Sequence, residues 1–283
     1  MPGPLSKRQI AWIAIGALFF LLLVLVVVLA HRDRTLRVSF LDVGQGDAIL
    51  VEGPTGIDML VDGGRDRSVL RELPKKMGIL DRSIDIVVAT HPDADHISGL
   101  ADVLERYSVS YVIEPGVESD TGPSRRFESA IAAEPRVERV LARSGQRLLL
   151  GGGAYADILY PSQDVSNIET NDGSIVMRIV YGDTEFLLTG DAPTWVEDQV
   201  AADSIRSDVL KAGHHGSRTS TSAFFLSKVQ PSVVIVSAGK DNPYGHPHAD
   251  VLERITAAGA QILSTIQEGS IEFESDGITI REK

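Results

Sequence analysis

The chain reads as an α+β protein, sheets covered by helices, carried behind a single transmembrane helix. Three observations predict this. Residues 10–30, IAWIAIGALFFLLLVLVVVLA, form an uncharged apolar run, and roughly 20 such residues cross a bilayer as a helix. Short runs rich in Val, Ile and Leu then recur as far as the C-terminus, which is a strand signal. Between some of them lie segments of helical period. The early runs follow one another closely, as in hairpins, while the later ones alternate with helices. A doubly wound sheet would alternate throughout, and a β-sandwich would lack the helices.

Residues 1–9 form an N-terminal tail bearing Lys7 and Arg8. Residues 10–30 are the membrane anchor. A cleaved signal sequence is the alternative, because VLA ends the run with small residues, but such sequences have apolar cores of roughly 7 to 15 residues. Lys7 and Arg8 on one flank face Arg32, Arg34 and Arg37 on the other, so the positive-inside rule gives no orientation. HRDRT, residues 31–35, is a short linker. No Pro-rich or Ser-rich tract interrupts residues 36–283, which read as one domain. Its strand-like runs include LRVSFLDV, DAILVE, DMLVDG, IDIVVAT, VSYVIEP, SIVMRIVYG, EFLLTGD, SVVIVSA and SIEFES. Helical patterns fall near 67–77, 95–107, 124–134, 193–202, 220–229 and 248–258.

Composition narrows the chemistry. None of the 283 residues is cysteine, which excludes disulfides, thiolate metal ligation and a thiol nucleophile. Residues 1–34 hold four basic residues and one acidic, so the remainder has 23 basic and 38 acidic and a formal charge near −15. That argues against broad, non-specific binding of polyanions.

Four clusters of chemically capable side chains each follow a strand-like run. ATHPDADHISGL, residues 89–100, crowds His91, Asp93, Asp95 and His96 into six positions. Asp93 as a helix N-cap is the ordinary reading; the other is a site for divalent metal, which imidazole and carboxylate suit. Gly99 then lets the following helix pack closely. EFLLTGDAP offers Asp191, DVLKAGHHGS offers His214 and His215, and NPYGHPHAD offers His246 and His248. Each alone is explained by a turn or a Pro-initiated helix, but three clusters hold most of the seven histidines. Adjacent side chains on an extended segment point oppositely, so one of His214 and His215 is expected to meet a metal and the other to approach substrate. DVGQGDA, residues 42–48, lacks the third glycine of a dinucleotide loop and reads as a tight turn. Asp62 in LVDGG is a candidate supporting carboxylate or a plain turn residue. Lys211 and Ser217 lie close enough in sequence to assist. No G-x-S-x-G elbow for a serine hydrolase occurs.

In order, FLDVGQGDAILVEG, MLVDGG, ATHPDADHISGL, NDGSIVMRI, FLLTGD, VLKAGHHGS and YGHPHADVLERI resemble the metallo-β-lactamase-like domain of the ComEC DNA-uptake family, across residues 36–281. The resemblance implies a four-layer αββα sandwich of two similar halves, with metal at the edge where the sheets meet. It implies one or two divalent ions, manganese or zinc, held by His91, Asp93, Asp95, His96, Asp191, His214 and His215. Asp95, His215 and His246 are then the catalytic candidates, with His246 contacting phosphate or acting as general acid. The chain departs from the usual His-x-His-x-Asp-His cluster at Asp93, and Asn171 and Asp172 stand where a further histidine is usual. Carboxylate in place of imidazole favours the harder manganese. The expected function is a membrane-anchored phosphodiesterase or nuclease acting on DNA during competence-type uptake. Its soluble domain would be extracytoplasmic, and its partner a separate channel protein. A small-phosphoester hydrolase of phosphocholine type, or a non-catalytic binding module of the same fold, is the alternative.

Overall fold

The computed structural model describes residues 6–30, 35–202 and 205–283; the linker expected at 31–35 lies, but for Thr35, outside them. The chain divides into two compact units, the second beginning at Thr35. The first contains helix α1 (Lys7–Ala30). Lys7–Val24 has a mean hydropathy of 1.7 and is exposed along its length, which makes the helix long and apolar enough to cross a membrane.

The second unit runs β1 (Leu36–Phe40), β2 (Ile49–Glu52), β3 (Asp58–Val61), α2 (Val69–Met77), β4 (Ser83–Val88), α3 (Ala94–Leu104), β5 (Ser108–Glu114), α4 (Gly122–Ala133) and β6 (Glu138–Leu141). It continues with β7 (Arg147–Gly151), β8 (Ala154–Tyr160), β9 (Val176–Tyr181), β10 (Thr184–Leu188), α5 (Thr194–Val200), β11 (Val209–Lys211), α6 (Ala223–Val229), β12 (Val233–Val236), α7 (Ala249–Ala257), β13 (Gln261–Ser264), α8 (Thr265–Glu268), β14 (Ile271–Ser275) and β15 (Ile280–Glu282). One sheet has the order β15-β14-β1-β2-β3-β4-β5-β6 and the other β13-β12-β11-β10-β9-β8-β7. In each, antiparallel strands give way to parallel ones, at β3–β4 and at β10–β11. This accounts for the hairpin-like spacing followed by helices, because antiparallel neighbours close with short turns and parallel ones need a crossover.

Alternation along the strands builds three apolar layers. Leu36, Val38 and Phe40 of β1 meet Phe186 and Leu188 of β10 between the sheets, where the Phe273 ring sets its edge near Phe40 at 6.2 Å and Phe186 at 6.1 Å. Leu50 and Leu60 face the other way, into α2, α3 and α4, and Leu187 and Leu210 pack under α5, α6 and α7. The result is the four-layer αββα sandwich. β6 and α8 are additions to the sequence expectation. β6 is a four-residue edge strand, mostly exposed, and carries too little apolar pattern to be seen.

Two contacts fix the elements that border the strand ends. A Cβ on Gly99 of α3 would lie 1.9 Å from the Gly63 carbonyl oxygen, and Gly63 N–H donates to His96 O at 2.7 Å. The helix thus rests directly on the loop leaving β3. On the other half, the fully buried Glu197 of α5 accepts from Thr221 N at 2.7 Å and Ser222 N at 3.3 Å, holding the segment ahead of α6. Burial pushes this carboxyl up to about 7 from its ordinary 4.5, although the two amides and Arg254 oppose it.

Gly99→Ala is expected to cost about 1–3 kcal/mol, the range for an overpacked contact, read as a lower midpoint in denaturant unfolding; an unchanged midpoint would refute the close approach. For Glu197, the folded state keeps a proton that the unfolded chain releases between pH 4.5 and about 7. Its contribution to stability is therefore present below 4.5, declines as pH rises through that window and is flat above it. Glu197→Gln should remove that decline, worth up to about 3 kcal/mol at 1.36 kcal/mol per unit, in unfolding measured at pH 5 and pH 7.5.

Candidate metal centre

The loops that leave β3, β4, β10, β11 and β12 at their C-terminal ends converge at one edge of the sandwich, the place where crevices form in sheets of parallel strands. Asp62 follows β3 and is buried, with a left-handed φ of 59°. Its Oδ1 accepts from Thr90 N at 2.8 Å, and its Oδ2 accepts from the Thr90 hydroxyl at 2.7 Å. His96 Nδ1 lies 2.7 Å from the same Oδ2. A carboxylate oxygen only accepts, so His96 carries its proton on Nδ1. The Thr90 hydroxyl has given its hydrogen to Asp62, so its oxygen accepts from His91 Nδ1 at 3.0 Å. Both rings are fully buried, and both Nε2 atoms lack any hydrogen-bond partner. One carboxylate thereby points two lone pairs at the same place, the usual way that outer partners orient metal-binding imidazoles. Asp93 takes the backbone conformation of an N-cap but makes no side-chain capping bond. Its Oδ2 lies 3.7 Å from His91 Nε2.

Asp191 follows β10 and is buried. Its Oδ1 is 3.4 Å from His96 Nε2, and its Oδ2 is 4.0, 3.6 and 3.4 Å from the Nε2 atoms of His91, His214 and His215. Both members of the histidine pair reach this carboxylate, contrary to the expectation from an extended segment. The segment is not extended: His214 and His215 have φ of 48° and 55°. That left-handed conformation costs a non-glycine residue roughly 1–2 kcal/mol. His214 N–H to Gly190 O at 3.2 Å, Gly213 N–H to Thr221 Oγ1 at 2.9 Å and Ser217 N–H to His214 O at 2.8 Å hold it in place. His215 Nδ1 donates to the Ser237 carbonyl beyond β12 at 2.9 Å. Its unpartnered Nε2 lies 3.5 Å from Asp95 Oδ2. His214 is 26% exposed and sets Nδ1 3.2 Å from Thr219 Oγ1.

Two further residues enter that the sequence reading leaves aside or in the background. Asp47, in the loop between β1 and β2, is 1% exposed. Its Oδ2 is 2.5 Å from Lys211 Nζ and its Oδ1 is 3.4 Å from His215 Nδ1. Lys211, the last residue of β11, is fully buried; it donates to Gly190 O at 3.0 Å and stands 3.6 Å from Asp191 Oδ1. Gly46 makes the approach of Asp47 feasible, since a Cβ there would fall 2.0 Å from the Asp95 carbonyl oxygen. The one sequence signal for Lys211 is a lone cation ending an apolar strand.

Electrostatics follow from this crowding. Burial works against charge on His96 and His215, yet Asp191 with Asp62, and Asp191 with Asp47, raise them well above the ordinary imidazole range. Burial and the neighbouring His96 hold His91 well below it. Asp191 stays well below the carboxylate range because His215 and His96 outweigh its burial. Lys211 is raised, Asp47 and Asp191 overcoming burial. His246 stands apart from the carboxylates, its ring centroid 5.4 Å from His214 and 6.3 Å from His215. A cleft of about 220 Å³ opens over Asp191 and His214, walled by Glu169, Thr170, Asn171, Asp172, Pro193 and Thr219.

The ligand atoms of Asp47, His96, Asp191 and His215 all lie within 4.8 Å of one another, and all four residues are buried. His91 Nε2, His96 Nε2, His215 Nε2, Asp191 Oδ1 and Asp47 Oδ1 are buried without a hydrogen-bond partner. The carboxylates favour positive charge among them, which protons on His96 and His215 satisfy and which a divalent cation bound by the Nε2 atoms and carboxylate oxygens satisfies in their place. The mixed nitrogen and oxygen donors fit one.

The sequence is similar to ComE operon protein 3 of Bacillus subtilis, 29% identical over 84% of this chain and 33% of that protein. It is 29% identical to Competence protein ComA of Neisseria gonorrhoeae, over 86% of this chain and 33% of that protein. The chain thus spans about a third of the length of these relatives. Among solved structures, Igni18, a metallo hydrolase of Ignicoccus hospitalis, superposes with a TM-score of 0.56 at 15% identity, covering 84% of this chain and 98% of that one; this likeness concerns the fold. The family model described as the metallo-beta-lactamase superfamily matches residues 41–240. The chain belongs to the metallo-beta-lactamase superfamily, with ComEC-type competence proteins among its relatives.

Proposed function

We propose that this protein is a membrane-anchored, metal-dependent phosphodiesterase that cleaves DNA in competence-type uptake. The observation that carries the reading is the set of buried nitrogen and oxygen atoms without hydrogen-bond partners gathered around Asp191. Asp95, His96, Asp191 and His215 would hold one ion, with Asp47 close enough to share it; His91 and His214 approach Oδ2 of Asp191, with Asp93 beside His91, where a second would sit. Manganese suits so carboxylate-rich a set, with zinc the other candidate. Bound there, a divalent ion supplies an activated water at neutral pH and polarises a phosphoryl oxygen.

The chain's own groups do the rest. Asp62 and Thr90 keep His91 and His96 in the tautomers that leave Nε2 free. The Ser237 carbonyl does this for His215. Lys211 fixes Asp47 and supports one oxygen of Asp191 with a charge that needs no exchange with solvent. His214, the exposed member of the pair, lines the cleft, where it would contact the phosphate or serve the leaving oxygen. His246 stands at its back, and burial with the neighbouring His214 lowers it to about 4, so it would meet a phosphate as a neutral hydrogen-bond donor. Helix α1 would anchor the enzyme, the domain would face outside the cytoplasm, and a separate channel protein would receive the strand. Acidic Glu169 and Asp172 on the cleft wall, with Asp172 accepting from Nε1 of the half-exposed Trp195 at 3.2 Å, favour a second reading. They would attract a quaternary ammonium through charge and the indole face, as in a phosphocholine-type ester.

The test is to purify the chain and measure bound metal. Single- and double-stranded DNA are then assayed beside bis-p-nitrophenyl phosphate with manganese. Cleavage of the ester alone would favour the small-substrate hydrolase, and full metal loading without turnover the binding module. Asp191→Ala should lower metal content and hydrolysis together, each by more than about 100-fold, the upper range for losing even an outer-sphere partner. Retained activity in that variant would overturn its central role.

A further inference from the structure

We infer that Tyr244 is a stacking platform for the nucleobase next to the scissile phosphate. The inference deepens the nuclease reading and rests on it. Tyr244 is 54% exposed and belongs to none of the three apolar layers. One face is taken by His246, whose ring stacks on it at 5.7 Å with an interplanar angle of 25°. His246 in turn abuts His214 at 5.4 Å, and His214 reaches Asp191. The aromatic row therefore leads from the carboxylate cluster outward and ends on an open phenol ring.

The loop that carries this ring is rigidly built. Asn242 Nδ2 donates to Gly239 O at 2.7 Å and to His246 O at 2.6 Å, while its Oδ1 accepts from Tyr244 N at 3.2 Å and His246 N at 2.9 Å. One side chain thus clamps the backbone of the turn from inside, and the stack on His246 orients the ring. A pre-set aromatic loses little entropy when it binds.

Charge makes such a platform necessary for a nucleic-acid substrate. The domain carries a formal charge near −15, and the cleft wall includes Glu169 and Asp172. Arg218, near the mouth in sequence, is paired with Asp250 at 3.0 Å. A polyanion gains little from such a surface, since affinity for the backbone comes from neutralising phosphates. Base stacking on an aromatic ring, about 1–3 kcal/mol per base, needs no charge and does not depend on sequence. It requires a base that is not already stacked within a duplex, so the preferred substrate is a single-stranded or frayed end.

The experiment uses the full chain in detergent and a fluorescein-labelled, phosphorothioate-linked thymidine oligomer, beside a backbone of the same length without bases. Binding is read by anisotropy, and hydrolysis of ordinary DNA is assayed in parallel. Tyr244→Ala should weaken binding of the thymidine oligomer by about 5- to 150-fold, the equivalent of 1–3 kcal/mol. Tyr244→Phe should bind as the parent does. On the base-free backbone the parent and Tyr244→Ala should bind equally weakly. Equal affinities of parent and Tyr244→Ala for the thymidine oligomer, or the same loss on the base-free backbone, would overturn the platform. If DNA hydrolysis persists under that outcome, the platform alone fails; if the parent neither binds nor cleaves DNA, the nuclease reading fails and this inference with it.

Discussion

A buried carboxylate ringed by imidazoles is the constraint on which this structure turns. Asp191 lies within 4.0 Å of four imidazole nitrogens and of the Lys211 ammonium. Isolated burial of an ionised carboxylate would be prohibitive, and pairing makes it tolerable. Each partner must then be held from behind, or it would rotate away to satisfy itself. Asp62, Thr90, the Ser237 carbonyl, Thr219 and Asp47 provide that second ring. They come from both sheets, so the geometry of the site and the docking of the two halves depend on each other.

The sandwich supplies this economically in topological terms. In both sheets the parallel strands run toward the shared edge, so the loops after β3 and β4 meet those after β10, β11 and β12. The ion pair of Asp47 with Lys211 joins the first hairpin of one sheet to a central strand of the other. Buried in this way, it is weak evidence for net stability, but it does define the register in which the halves close.

Much of this is legible in the residues themselves. Histidines and aspartates placed just after apolar runs mark strand ends with chemistry, and four such clusters converge on one edge. Helices also stand close to their periodic patterns. Asp47 escapes such reading because its loop has the glycines of any tight turn, and the partner that gives it meaning lies far along the chain. The left-handed pair at His214 and His215 is hidden for a different reason. Extended backbone is the default for adjacent residues after a strand, and it takes tertiary bonds to Gly190 and Thr221 to impose the rarer one. β6 is missed because an exposed edge strand has little apolar alternation to show.

The hydroxyl of Thr90 has a consequence of its own. It donates once and accepts once, and with Asp62 it forms a short relay that begins at one ring and ends at the other. The proton positions on His91 and His96 are therefore both referred to Asp62, one through the hydroxyl and one directly. Each ring would lose its own bond on taking the opposite tautomer, His96 the one to Asp62 and His91 the one to Thr90, so the setting of two metal-facing nitrogens traces back to one buried aspartate outside the cleft.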